Sequence, residues 1–293
     1  MVAVAEERHF GRAAGRCFVS QPSLSAAIRN LEDELGVKVF ERGKTGVLLT
    51  DAGERVVAQA RRVLEEADRV KAVAKEGRNP LAGVLRLGVI PTIAPYLLPE
   101  LVQALRAVAP QMPLDIEENL TANLEAMLRA GTLDAAILAL PFEQPGIETM
   151  PLYDEEFRLA VPVKHPWAKR KHVALDELDP ANLLLLPVGH CFRDQVLDAC
   201  GEFARAPAPG RQGNSLETLR SMVASGLGMT VLPASALTAR YATPLVKTVR
   251  FNAPRPTRRV AIAYRAGFPR VAALRAVANA VRGLSLPIEP AGG

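Results

Sequence analysis

Residues 10–35 read FGRAAGRCFVSQPSLSAAIRNLEDEL, and the spacing of their apolar positions predicts two helices joined by a tight turn. Over Phe10 to Cys17, the residues Phe10, Ala13, Ala14 and Cys17 share one side of a short helix, so Cys17 reads as a packing residue. Phe18, Val19 and Ser20 form the turn. Ser20 precedes Gln21-Pro22-Ser23, a polar cap followed by proline near the helix start. The next helix, Pro22 to Leu35, offers Leu24, Ala27, Ile28, Leu31 and Leu35 to a core and Ser23, Ser25, Ala26, Arg29 and Asn30 to the opposite side. A helix that begins with small polar side chains after such a turn suits the major groove of DNA. There Gln21, Ser23 and Ser25, with Pro22 opening the same turn, are candidates for base edges, and Arg29 for a base or a phosphate. Taken singly, each is equally a solvated surface residue.

Downstream, Gly36 to Thr50 reads as a small β-wing, with Arg42 and Lys44 at its tip for phosphates or a minor groove. Asp51 to Glu76 is then one long helix whose Val56, Val57, Ala60, Val63, Leu64, Ala67 and Val70 recur at steps of three and four. Such a stripe needs a cover, either its own domain or a second copy of the chain. A symmetric dimer also suits paired DNA half-sites. Gly77-Arg78-Asn79-Pro80 ends the helix with breaker residues and marks a boundary.

Beyond Gly83 the character changes. Apolar runs at Val84 to Ile90, Ala135 to Leu140, Leu159 to Val163, Leu183 to Pro187, Met229 to Leu232 and Val260 to Tyr264 read as buried strands. Amphipathic stretches at Leu97 to Val108, Thr121 to Ala130, Ser215 to Ser225 and Val271 to Val281 lie between them. The alternation predicts α/β units on a largely parallel sheet.

At 293 residues the chain exceeds the usual size of one domain, and 49% hydrophobic residues suffice for real cores. Residues 1–80 carry 14 Lys/Arg against 12 Asp/Glu, so a reading of DNA binding rests on pattern and not on net charge. No apolar run is long enough to span a membrane, and Glu6, Glu7, Arg8 and His9 interrupt any signal-like start, which points to the cytoplasm. Three cysteines, Cys17, Cys191 and Cys200, are too few for a secreted disulfide framework. His9, His165 and His172 have no cysteine partners at ligand spacing, so no metal site and no cofactor is expected.

Against this background the chain resembles the LysR-type transcriptional regulators. The match is carried by Arg12-Ala13-Ala14, Val19 through Ser25, Ile28-Arg29-Asn30-Leu31-Glu32, Leu35-Gly36, Phe40-Glu41-Arg42 and Leu49-Thr50-Asp51-Ala52-Gly53, and it extends over nearly the whole chain. The resemblance implies an α/β protein with an N-terminal winged helix-turn-helix (1–50), a linker helix that dimerises (51–80) and an effector domain (83–293). That effector domain would be like a periplasmic binding protein, with subdomain I at 83–153 plus about 258–285 and subdomain II at about 154–257. Family members carry one or two more helical turns before the position of Met1, so Val2, Val4 and Ala5 must supply a shortened first helix, and an upstream start is expected.

Gly189-His190-Cys191-Phe192-Arg193-Asp194-Gln195, with Cys200 after it, narrows the resemblance to OxyR-like hydrogen peroxide sensors. It implies that Cys191 is the peroxidatic thiol and Cys200 the resolving one, joined in a reversible disulfide. It also implies that Thr92, Thr121, His190 and Arg258 bind peroxide, with Asp194 assisting. Arg258 fits this position better than Arg265. The implied partners are promoter DNA, hydrogen peroxide, RNA polymerase, a glutaredoxin- or thioredoxin-type reductant and further copies of the chain in a dimer or tetramer; no enzyme activity is implied.

The residues support part of this independently. Peroxide is attacked by a thiolate, and a cysteine in the first turn of a helix, beside His190 or Arg193, sits where an anion is favoured. Residues nine apart on one helix lie about 13.5 Å apart, whereas a disulfide requires Cα atoms within about 7 Å. Bonding Cys191 to Cys200 would therefore unwind a helix that held both. The competing readings are a regulator of the same architecture that binds a small organic effector, and a thiol peroxidase.

Overall fold

In the computed structural model, the described residues are all except 44–45, 77–78, 179–181, 201–210 and 292–293; of 42, 43, 46, 65, 66, 68–76, 200 and 290 only the backbone is described. The chain divides into two compact units, Met1–Arg78 and Asn79–Gly293.

The first unit contains α1 (Val2–Glu7), α2 (Phe10–Arg16), α3 (Gln21–Leu35), the hairpin β1 (Phe40–Gly43) and β2 (Gly46–Leu49), and α4 (Asp51–Glu76). Its core is small: Val4, Ala13, Ala14, Leu24 and Ile28, with Phe10, Phe40 and Val47 packed against them. Local chemistry sets each boundary. His9 Nδ1 accepts from the Gly11 and Arg12 amides to start α2, and Ser20 Oγ accepts from Ser23 N to start α3. Gly36, at φ +68°, ends α3. Gly53 is fixed by space: a Cβ there would lie 2.1 Å from the Val39 carbonyl oxygen.

The core is narrower than the apolar pattern predicts. Ala27 and Leu35 are exposed, and Cys17 is exposed in the turn after α2, because that helix ends at Arg16. A buried Glu32 takes the place of the missing apolar contacts. Its carboxylate accepts from the Val39 and Phe40 amides at 2.8 and 3.0 Å and pairs with Lys38, tying α3 to the wing.

The second unit is built on one nine-stranded sheet, taken in chain order as β3 (Leu85–Val89), β4 (Leu114–Glu118), β5 (Ala135–Ala139), β6 (Ile147–Pro162), β7 (His172–Val173), β8 (Thr230–Pro233), β9 (Val246–Phe251), β10 (Thr257–Arg265) and β11 (Glu289–Pro290). The spatial order is β4-β3-β5-β10-β6-β9-β7, with β8 and β11 also paired to β6. Helices α5 (Ala94–Val108), α6 (Thr121–Ala130), α7 (Cys191–Cys200), α8 (Leu216–Ala224) and α9 (Val271–Arg282) pack on it.

The sheet is mixed, not largely parallel. Among the described strands only β3 with β4 and β5, and β7 with β9, run parallel, whereas β10 and β6 run antiparallel to their partners. An apolar run buried on both faces carries no mark of strand direction, so the sequence pattern does not distinguish the two. Leu183 to Pro187 is also not a regular strand; it forms isolated bridges from Leu183 to Met229 and from Leu185 to Gln212.

Two apolar cores result. One gathers β3, β5, α5, α6 and α9 around Leu87, Ile137, Leu97, Leu124 and Leu274. The other gathers Phe157, Leu159, Leu184, Phe192, Leu219, Val231 and Phe251. The start of α7 touches both: Cys191 packs against the first core, and Phe192 lies in the second.

Candidate functional site

Three segments converge on one small cavity: Ile90-Pro91-Thr92 after β3, Leu120-Thr121 at the start of α6, and Gly189-His190-Cys191 at the start of α7. The space it leaves open to a water-sized molecule is about 10 Å³, roughly what one water needs. Gly189 makes the approach possible. Its φ is +103°, and a Cβ would lie 3.3 Å from Leu120 Cδ1 on the cavity wall. Cys191 is then the first residue of the ten-residue helix α7, half-buried and without a disulfide partner among the described residues.

The polar groups of the cavity are unequal. Thr92 is 3% exposed, and its Oγ1 accepts a hydrogen bond from Arg258 Nη1 at 2.9 Å, which leaves its own O–H free to donate elsewhere. Thr121 Oγ1 is buried and has no hydrogen-bond partner among the described residues. Burial lowers the His190 pKa from its usual 6.5, so at neutral pH the imidazole is uncharged and acts as a neutral donor or acceptor. This corrects the expectation of positive charge from His190. Arg193 does not supply it either, because it is buried away from the cavity and donates to the Leu186 carbonyl.

Arg258 stands behind Thr92 and is not itself on the cavity wall. Its side chain and that of Glu155 are fully buried and paired at 2.6–2.7 Å. Its Nη2 also donates to the Thr92 carbonyl, and its guanidinium lies 4.9 Å from the ring centre of Phe192. Glu155 in turn accepts from Ser235 N. Glu155 was invisible to sequence reasoning, because its partner is 103 residues away. Arg265 instead donates to the Leu128 and Leu133 carbonyls, away from the cavity.

Of the expected peroxide-binding residues, then, Thr92, Thr121, His190 and Cys191 come together, and Arg258 reaches them through Thr92. Asp194 does not join them; it is exposed on α7 and is not among the residues that line the cavity. Cys200 ends α7, and its side chain lies outside the described residues. Among the described residues no cluster of His, Cys, Asp or Glu is arranged to hold a metal ion.

In the first unit, Gln21, Pro22, Ser23 and Arg29 are exposed on α3 and Ser25 is half-buried. The Ser23 hydroxyl is 2.7 Å from Ser20 Oγ, so it is oriented by the cap that begins the helix. The side chain of Arg42 and the whole of Lys44 lie outside the described residues. No described helix is long and apolar enough to cross a membrane.

Comparison with known proteins fits this architecture. Residues 1–54 match the bacterial regulatory helix-turn-helix protein family, lysR type, and residues 78–285 match the LysR substrate binding domain. The hydrogen peroxide-inducible genes activator of Dickeya chrysanthemi is 42% identical over 282 residues, covering 96% of this chain and 92% of that protein. A full-length OxyR variant from Pseudomonas aeruginosa superposes with a TM-score of 0.86 at 48% identity, covering 100% of this chain and 96% of that one. A cysteine-to-serine mutant of Corynebacterium glutamicum OxyR, solved with H2O2 bound, gives a TM-score of 0.68 at 36% identity, covering 96% and 89% of the two chains. The chain belongs to the LysR family of bacterial helix-turn-helix regulators and, within it, to the hydrogen peroxide-inducible genes activators of the OxyR type.

Proposed function

We propose that the chain is a cytoplasmic, hydrogen-peroxide-responsive regulator of antioxidant genes, in which one peroxide molecule occupies the cavity at Cys191. The observation that carries this reading is the unpartnered Thr121 hydroxyl, buried on the wall of a cavity that admits little more than a water molecule and holds a free cysteine. A buried hydroxyl without a partner costs about 1–3 kcal/mol, and a small molecule with donors and acceptors at both ends relieves that cost. The same volume argues against an organic effector at this position.

The thiolate of Cys191 attacks the nearer peroxide oxygen. The S–O bond forms as the O–O bond breaks, and hydroxide leaves, taking a proton to become water. Thr92, polarised by Arg258, and Thr121 donate to the oxygen that gathers charge. The sulfenic acid at Cys191 then condenses with the Cys200 thiol, forming the disulfide and releasing a second water. A dithiol reductant of the glutaredoxin or thioredoxin class reverses the step, so peroxide is consumed once per switching event. DNA is read through Gln21, Pro22, Ser23, Ser25 and Arg29, with Arg42 on the wing. The functional divisions are residues 1–50, 51–80 and 83–293, and the oxidised homo-oligomer recruits RNA polymerase.

Competition between peroxides tests the reading. Hydrogen peroxide should oxidise Cys191 at least about tenfold faster than tert-butyl hydroperoxide, because the larger molecule does not fit. Equal rates would mean that the thiol reacts outside the cavity.

A further inference from the structure

The second unit segregates its charge. Residues 157–175 hold five Lys/Arg and no Asp or Glu, and residues 218–288 hold eleven Lys/Arg and no Asp or Glu. The fold joins parts of these two stretches at one edge of the sheet. Edge strand β7 pairs with β9, and the 3₁₀ turn Pro166–Lys169 precedes β7. Lys164, Lys169, Lys171, Lys247 and Arg250 are all exposed there, and among the described residues none has a carboxylate within ion-pair distance. Arg170 is different: it pairs with Glu177 at 2.6 Å and lies over the Trp167 ring at 5.2 Å.

Arg250 stands apart from the lysines: three residues from Lys247 on the same strand, it points to the opposite side of the sheet, where it lines a cavity with Asp154, Glu155 and Glu156. Exposed lysines, as compact point charges on flexible stems, suit a repeating polyanion.

We propose that the surface formed by Lys164, Lys169, Lys171 and Lys247 is a second, sequence-independent contact surface for the phosphate backbone of duplex DNA. The inference rests on DNA binding by the helix-turn-helix but not on peroxide chemistry. The first unit carries a surplus of only two basic residues over positions 1–80. Once that unit holds DNA, the tethered face meets duplex at high effective concentration, and weak contacts suffice.

The test uses the full chain and a fluorescent random-sequence duplex of about 60 base pairs, with affinity measured over a range of salt. Combined Lys164→Gln, Lys169→Gln, Lys171→Gln and Lys247→Gln should make the plot of log affinity against log salt shallower by about 3.6, since each of the four phosphate contacts contributes about 0.9. Affinity at about 0.1 M salt should fall at least tenfold. A charge-retaining variant, Lys164→Arg with Lys169→Arg and Lys171→Arg, should keep the wild-type slope. An unchanged slope in the Gln variant, or no wild-type binding to this duplex, overturns the proposal. An unchanged slope accompanied by lost transcription would assign the face to an acidic protein instead. Thiol labelling of Cys191 after peroxide, in the same samples, separates failure of the redox reading from failure of this one.

Discussion

Replacing Thr121 by valine removes a hydroxyl that makes no hydrogen bond to a described residue. Thr121→Val should therefore leave urea stability within about 1 kcal/mol of wild type, or raise it slightly, while slowing oxidation of Cys191 by peroxide about 10- to 100-fold. Stopped-flow oxidation with thiol counting measures the rate; an unchanged rate would remove Thr121 from the site. His190 gives a pH prediction of definite sign. Because burial lowers its pKa in the folded chain below 6.5, the unfolded chain takes up a proton first as pH falls. Folding stability thus declines from about pH 6.5 down to the folded-state pKa and is unaffected above that window. Urea titrations of His190→Asn should show a shallower acid decline than wild type, and coincident profiles would contradict the burial effect. At this scale the sequence exposed Cys191 and His190 through their local setting. Thr92, Thr121 and Arg258 were legible only by resemblance, because nothing in their own neighbourhoods signals a shared cavity. Glu155 and Glu32 were not legible at all: a buried carboxylate is spelled like a surface one until its partners are known.

At the scale of elements, α7 is the piece whose two states conflict. Its ends are nine residues apart, about 13.5 Å as helix, and a disulfide between Cys191 and Cys200 cannot form across that distance. Oxidation should therefore unwind α7 and pull Phe192 from its packing against Phe157 and Arg258. Hydrogen exchange followed by mass spectrometry should show amides of 191–200 losing protection after peroxide, and Cys200→Ser should keep them protected. Retained protection in the oxidised wild type would show that α7 is not the switching element. Helices were the most legible elements, since a 3.6-residue stripe and a cap are both local; α6 and α9 were found within one residue of their ends. Strand direction was not legible, because β6 and β10 are paired through residues some hundred positions apart. Cys17 was misread by a single residue: α2 stops one residue earlier than its apolar pattern extends.

At the scale of the molecule, α4 carries the apolar stripe proposed to join two copies of the chain. Val57 is buried within its own unit, but Val63 and Leu64 are 58% and 54% exposed, so the stripe is only partly covered by a single chain. Val70 lies outside the residues whose side chains are described. Leu64→Glu should shift the protein toward monomer in sedimentation velocity, with DNA affinity lowered at least about tenfold as half-site cooperation is lost. An unchanged oligomer would place the dimer contact elsewhere. The central claim is that one chemical event at Cys191, closed by Cys200, changes how the assembled protein grips DNA. Its most direct test treats wild type and Cys191→Ser with one equivalent of hydrogen peroxide, then maps disulfides by mass spectrometry and footprints the promoter DNA in the same samples. The account predicts a Cys191–Cys200 disulfide and an altered footprint in wild type, and neither in Cys191→Ser. Absence of that disulfide, or the same footprint change in Cys191→Ser, would contradict it.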